Sequence, residues 1–586
     1  MDAEVKEDTL PTHRPSSRLD AGARQRALEA MAADELDVLV VGGGVTGAGI
    51  ALDAATRGLT TGIVEASDWS SGTSSRSSRL VHGGLRYLYN LDFGLVAESL
   101  HERGLLLETI APHLVTAQPF LWPLRTPVIE RAYSAVGVGM YDALGYLGHR
   151  RRTVPFQKHL SRTGARALFP DIREDALVGA IRFFDARVDD SRLVLALIRT
   201  AARYGAHAAS HTRVTRFQRD GKGRVGGVVV EDGLTGEQRT IRARHVIAAA
   251  GVWTEQVQEM AGAEGGLRVL ASKGIHVVVP RERIRGEVGL FLRTEKSVLF
   301  IIPWPEYWVI GTTDTAWHES LDTPVATAAD IEYVLGHANA VLSSDLTRED
   351  VIATFAGLRP LLQPGTLDAS RTARISREHT VTEAAPGLTT IAGGKLTTYR
   401  VMAEDAVDFA LGGRASELRS VTASTPLIGA DGLAATRRLI PRIAARYGWD
   451  VGRVEGLVRR YGSAVDEVLS IADGDPSLAR PLASAPGYLG AEVVHAVTHE
   501  GAMGLADVLE HRIRLIVETP SRGLEALDEV AGIAAPLLGW DAERVEREKE
   551  AYRALVAGIV AAEGESTDAG AAAALRQGQS AYRGMP

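Results

Sequence analysis

The chain has 586 residues, 45% hydrophobic and 24% charged, an ordinary globular composition with room for about three to four domains. Its 65 Lys and Arg against 73 Asp and Glu give a formal charge of −8, which does not suggest a nucleic-acid binder. Cysteine is absent, so disulfides, thiolate metal sites, iron–sulfur clusters, thiol nucleophiles and cysteinyl flavin links are excluded, and redox chemistry would have to come from a bound organic cofactor.

Residues 1–35 carry proline, serine and mixed charge, including Asp8, Pro11, Arg14, Pro15 and Ser16, and no apolar signal-like stretch. A disordered arm is expected. Residues 37–65, DVLVVGGGVTGAGIALDAATRGLTTGIVE, then read as strand, glycine turn, helix and second strand. Val38 to Val41 are the apolar run of a central parallel strand. They lead into Gly42-Gly43-Gly44-Val45-Thr46-Gly47, a G-x-G-x-x-G in which Gly42 permits the tight turn, Gly44 admits a pyrophosphate and Gly47 lets helix and strand approach. Glu65, about 20 residues on, is placed to accept hydrogen bonds from an adenosine ribose. The unit reads as a dinucleotide site for NAD or FAD.

The next stretch, SSGTSSRSSRLVHGGLRYL (70–88), is dense in hydroxyls that can donate to phosphate or flavin oxygens, Thr73, Ser74 and Ser78 among them. His82, Arg86 and Tyr87 follow, and Gly83 lets the backbone pass close to a ring. Residues 92–110 have helical spacing, with Phe93, Val96, Leu100 and Leu107 on one face, and end before Pro112. Residues 131–152 are an apolar, helix-like stretch broken by Asp142 and ending in Arg150, Arg151 and Arg152. Such a segment suits either an interfacial helix on anionic lipid or a buried helix with a solvated basic end.

Residues 181–204 read as a strand and a helix capped by Asp190 or Ser191. Strands follow around Val214 and Val228–Val230, and HVIAAAGVWT (245–254) is a buried strand running into Gly251 and Trp253. This late strand-to-glycine approach implies a nucleotide domain split along the chain. The strands GIHVVVP, SVLFIIPW and YWVIGTTD supply apolar walls with sparse polar groups, Lys273, His276, Thr312, Thr313 and Asp314, the usual furniture of a small-molecule pocket. In FAGLRPLL, Arg359 reads as a cation in an apolar turn that needs an anionic partner. Arg374 and Arg377 offer further anion clamps.

Residues 388–400, LTTIAGGKLTTYR, read as strand, double glycine, lysine and helix start, a second place where backbone N–H groups meet the cofactor. Two such scattered pieces favour FAD over NAD. From about 425 to 560 the texture is helical and rich in Ala, Leu and Arg, and the last twenty residues read as a frayed tail. His495 and His499 stand four apart, but without the H-E-x-x-H spacing they read as an ordinary packed helix. No metal site is expected. No window reaches the roughly 18 apolar residues of a membrane span.

Taken together, GGGVTGAGIALDAATRG, SSRLVHGGLRYL, KGIHVVVP, IGTTD, GLRP and GGKLTTYR closely resemble the FAD-dependent glycerol-3-phosphate dehydrogenases that pass electrons to quinone. The resemblance spans roughly residues 36–550. It implies an α/β fold with a glutathione-reductase-type, Rossmann-like FAD domain (about 36–110, 180–265 and 350–415) interleaved with a mixed-sheet substrate domain (about 111–180 and 266–350). A C-terminal all-helical domain (421–562) and a flexible tail (563–586) complete the expectation.

The resemblance further implies oxidation of sn-glycerol 3-phosphate to dihydroxyacetone phosphate. His276 is the better candidate base, with Lys395 either that base or a stabiliser of charge on the reduced flavin. Arg359, Arg86 and Arg377 would grip the phosphate, and Tyr87 and Thr312 would line the pocket. The FAD contacts are expected at Gly42, Gly44, Gly47, Glu65, Thr73, Ser74, Ser78, His82, Gly83, Val214, Gly251, Trp253, Gly394, Lys395, Leu396 and Thr397. A quinone partner, peripheral contact with the inner face of the cell membrane from the cytoplasm, and no nucleic acid go with this reading, which allows a homodimer. An oxidase returning electrons to O₂, and a tRNA-modifying or non-catalytic flavoprotein, are the alternatives.

Overall fold

The computed structural model describes residues 16–84, 92–126, 137–146, 153–263, 266–294, 298–363, 372–375 and 379–583. The apolar run before the glycine turn is the strand Leu36–Val41, inside a nine-stranded sheet. It lies parallel to Gln238–Ala248 on one side and to Thr61–Val64 on the other. Leu388–Gly393 and His207–Ala209 extend the parallel set outward, so the nucleotide sheet is assembled from segments hundreds of residues apart. The hairpin Thr212–Arg219 and Val225–Asp232 adds antiparallel to the early part of Gln238–Ala248. Helices Val45–Thr56, Asp190–Arg203 and Tyr399–Leu411 share one core, in which Ile50, Ala54, Val194, Ile198, Ala403 and Val407 are buried. The middle helix is capped by Asp189, one residue before the expected cap.

A second, ten-stranded sheet is antiparallel except where Gly289–Arg293 runs parallel to Val115–Leu124. Two of its strands correct the expected boundaries. Gly179–Val188 pairs along its length with Val115–Leu124, and Ala353–Leu362 with Val269–Pro280, although both were expected to begin nucleotide-domain segments. Their partners lie too far away in sequence for a local apolar pattern to reveal them.

Alternation along Val269–Pro280 decides what each side chain meets. Ile275, Val277 and Val279 pack under helix Ala328–Asn339 against Ile331, Val334 and Leu335. On the opposite face Val278, Val309 and Phe355 join Val493, Leu509 and Val530 of the C-terminal helices. Lys273 belongs to the first set. It is not a pocket group: its Nζ donates to Asp330 at 2.5 Å and also to Asp568, with the Trp317 ring 5.4 Å away. Removing one partner of a buried ion pair leaves uncompensated charge. Lys273→Met should therefore lower the unfolding midpoint in urea by the equivalent of roughly 3 kcal/mol, and Asp568→Asn by less, because Asp568 is one-third exposed.

Both expected disordered ends are corrected where they are described. Residues 21–33 form a helix, Ala21–Ala33, capped by Asp20 and burying Leu28 and Met31. Its Arg24 is buried against Asp232 at 2.6 Å and donates to the carbonyl oxygens of Ser210 and His211. The charge that made the arm look solvated is neutralised by a carboxylate two hundred residues away. At the other end Asp568–Arg583 is a helix with Ala571, Ala572 and Leu575 buried. Gly578 lets it approach its neighbour, since a Cβ there would lie 2.4 Å from Ala554 O. Among the described residues no helix is long and apolar enough to cross a membrane.

Candidate active site

The glycine turn is shaped by packing on one side and is open on the other. Gly42 has φ +114°, in the range that favours glycine. A Cβ on it would lie 2.6 Å from Ala249 O, and one on Gly47 1.9 Å from Gly42 O. Gly44 is different: a Cβ there would meet only Ser74 Oγ, at 3.2 Å, and it opens helix Val45–Thr56 without a side-chain cap. Its Val45 N–H donates to Ser74 Oγ at 2.9 Å. This is the cradle that a pyrophosphate at a helix N-terminus requires.

Glu65 follows the second strand directly, and its carboxylate accepts from the N–H of Gly43 at 2.6 Å and of Ser67 at 2.9 Å. Burial pushes its pKa up. Its carbonyl accepts from Thr212 N–H, which brings in the strand holding Val214, whose side chain is buried in the core beside Phe217 and Val230. Gly251 takes φ +56°, and Trp253 lies against Gly72, where a Cβ would be 3.1 Å from its ring.

The hydroxyl-rich loop gathers the remaining pieces. Thr73 Oγ1 donates to Leu358 O at 2.6 Å, and Ser78 Oγ lies 2.9 Å from His276 Nε2. His82 donates its N–H to Thr397 Oγ1 at 3.0 Å, and the same hydroxyl donates back to His82 O at 3.2 Å. Thr397 belongs to the short turn Leu396–Thr398 that Lys395 opens and that leads into helix Tyr399–Leu411. Gly394 has φ +84°, and a Cβ there would lie 2.3 Å from Met402 Sδ. Thus Ser78 and His82, four residues apart, tie His276 on one sheet to the Lys395–Thr397 turn on the other.

His276 stands between two strands, opposite Gly311 on one and Phe355 on the other. Gly311 makes room for the imidazole, because a Cβ there would lie 2.2 Å from its Cδ2. Phe355 stacks on the ring at 4.7 Å. Burial, then the charges of Arg359 and Arg79, lower the His276 pKa to about 3, so the ring is a neutral imidazole.

Arg359 lies in a strand, not the expected turn, opposite Ser272. Among the described residues its strand pairs only with Val269–Pro280 and so forms an edge, where Pro360 is tolerated. Its guanidinium donates to Thr312 Oγ1 at 3.2 Å and Thr313 O at 3.1 Å, lies 3.4 Å from Asp314 and stays about one-third exposed. A Cβ on Gly274 would collide with it at 2.6 Å. Since side chains two apart share a sheet face, Gly274 and His276 place the guanidinium and the imidazole on the same face. Arg76 O covers that face at Gly357, 2.5 Å from where a Cβ would be.

Arg86, Tyr87 and Arg377 lie outside the described residues. Phe355, Gly311 and Arg79 were not anticipated. Gly311, immediately before TTD, was the one local signal for such a close approach. A cleft of about 230 Å³ is lined by Thr73, Trp253, Leu358, His211, Asp507 and His511. It marks the junction with the C-terminal helices and excludes His276, Arg359 and Lys395.

Residues 37–400 match the family described as FAD dependent oxidoreductase, and residues 420–545 match the C-terminal domain of alpha-glycerophosphate oxidase. The chain is 47% identical over 558 residues to glycerol-3-phosphate dehydrogenase 2 of Mycobacterium tuberculosis, covering 95% of this chain and 94% of that protein. It is 37% identical over 541 residues to the mitochondrial glycerol-3-phosphate dehydrogenase of Bos taurus, covering 89% and 73%. The crystal structure of the glycerol-3-phosphate dehydrogenase of Bacillus halodurans complexed with FAD aligns with a TM-score of 0.75 at 31% identity, covering 92% of this chain and 98% of that one.

Proposed function

This chain belongs to the FAD-dependent glycerol-3-phosphate dehydrogenase family, and we propose that it oxidises sn-glycerol 3-phosphate to dihydroxyacetone phosphate and passes the electrons to a membrane quinone. The observation that carries the reading is the placement of a neutral imidazole and a half-open guanidinium on one sheet face, under the loop that also meets the glycine cradle. FAD, when bound, supplies the hydride acceptor. The chain supplies the rest. Arg359, with Arg86 and Arg377, holds the phosphate so that the carbinol carbon has one orientation, while Thr312 and Tyr87 line the pocket. The carbinol carbon can give up its hydride only as the proton of its hydroxyl leaves and the C=O bond forms. His276 takes that proton at Nε2, where the substrate hydroxyl replaces Ser78 Oγ. Lys395, at the opening of the Leu396–Thr398 turn, is the competing acceptor and otherwise stabilises negative charge nearby.

The quinone assignment draws on residues 131–152, of which 137–146 are described as a helix. Val138 and Tyr141 are buried and Leu144 packs against the core, whereas Met140 and Tyr146 are exposed, Tyr146 beside exposed Phe156. The inner face is therefore core, and the outer face is the apolar surface offered to lipid, with Arg150 to Arg152 beside it in sequence. Each cation near an anionic surface contributes about 1 kcal/mol. The protein should float with anionic liposomes at low salt, less so at high salt or after an Arg150/Arg151/Arg152→Ala change, and should reduce a short-chain quinone with little peroxide. Stoichiometric peroxide in the presence of that quinone, from protein that stays off liposomes, would assign O₂ as the acceptor.

A further inference from the structure

We propose that Tyr141 is a positioning residue that clamps the flavin-side loop at Gly83 and ties helix 137–146 to the active site. Its hydroxyl, 1% exposed with the rest of the residue, donates to Asp185 Oδ1 at 2.5 Å and accepts the Gly83 N–H at 2.7 Å. Asp185 is held in turn by Arg103 at 2.7 Å, whose guanidinium also donates to Phe184 O and lies 5.5 Å from the centre of the Tyr141 ring. Burial drives the phenol pKa well above its ordinary value, so the hydroxyl keeps its proton and its direction of donation.

The clamp is tight on the loop side. A Cβ on Gly83 would lie 2.7 Å from the Tyr141 hydroxyl and 2.4 Å from Leu100 Cδ2. The preceding residue, His82, is gripped by Thr397, and Gly84 N–H donates to His82 Nδ1 at 3.1 Å. Two neighbouring residues are thus fixed from opposite sides, one by the turn after Lys395 and one by helix 137–146. Ser78, which meets His276, lies four residues upstream. A shift of that helix is passed to the Gly83 amide through the Tyr141 hydroxyl. Without the hydroxyl, the amide has a longer alternative acceptor, Asp185 Oδ1 at 3.3 Å, so the loop is displaced and the fold is retained.

This inference rests on the reading that residues 78–84 and 394–397 face the flavin. The test compares the Tyr141→Phe holoenzyme with wild type. Flavin content should be equal, the visible circular dichroism of the bound flavin should change, and the rate of flavin bleaching by glycerol 3-phosphate should fall about three- to tenfold, the loss of one well-placed hydrogen bond, with KM little moved. An unaltered dichroism band together with an unaltered bleaching rate in Tyr141→Phe would overturn the proposal. Failure of the underlying reading shows separately, as a wild-type flavin that glycerol 3-phosphate does not bleach.

Discussion

Replacing His276 by glutamine should lower kcat by about a hundred- to ten-thousandfold, the usual worth of a positioned general base, while the protein keeps its full complement of FAD. Glutamine can still meet Ser78 Oγ, as His276 Nε2 does at 2.9 Å, and can lie on Phe355, but it cannot accept the hydroxyl proton. The depressed pKa, about 3 through burial and the nearby Arg359 and Arg79, adds a sign to the test. A group whose pKa lies below the assay range is already deprotonated throughout it. The wild type should therefore show no loss of kcat between about pH 8 and pH 5 from protonation of this ring, unlike a histidine near its ordinary value of about 6.5. A modest loss in His276→Gln beside a large one in Lys395→Met would transfer the proton to Lys395.

Arg359→Lys should raise KM for glycerol 3-phosphate about ten- to a hundredfold, corresponding to roughly one to three kcal/mol of charge-assisted bonding. Lysine preserves the charge and loses the planar fork that matches two phosphate oxygens. Asp314 stands 3.4 Å from the guanidinium, and both side chains are over one-third exposed. Discrimination between glycerol 3-phosphate and glycerol should narrow in the variant. An unchanged KM would reduce Arg359 to a structural partner of Asp314 and Thr312.

How much of this was legible in the sequence depended on the range of the interactions. The glycine turn is local, so its conformation at Gly42, Gly44 and Gly47 and the position of Glu65 could be read from spacing, and the period of two along Val269–Pro280 is likewise local. The same period would have separated Lys273 from His276, which are three apart, had the strand been followed one residue further back. Arg359 was misplaced in a turn because Pro360 reads as a breaker, a rule that edge strands escape. Long-range partners were invisible: nothing near Arg24 announces Asp232, and nothing near Lys273 announces Asp568. For the same reason charged and small-residue segments at the two ends looked solvated, when each buries one face on a distant element. The grip of Tyr141 on Gly83 joins residues of two motifs that had been read independently.

The account stands on one reaction between this protein and one small molecule. Under anaerobic conditions, without any acceptor, sn-glycerol 3-phosphate added to the purified yellow protein should bleach its flavin, and dihydroxyacetone phosphate should appear in equal amount. A flavin that keeps its colour with sn-glycerol 3-phosphate, or that is bleached equally by glycerol, would contradict it.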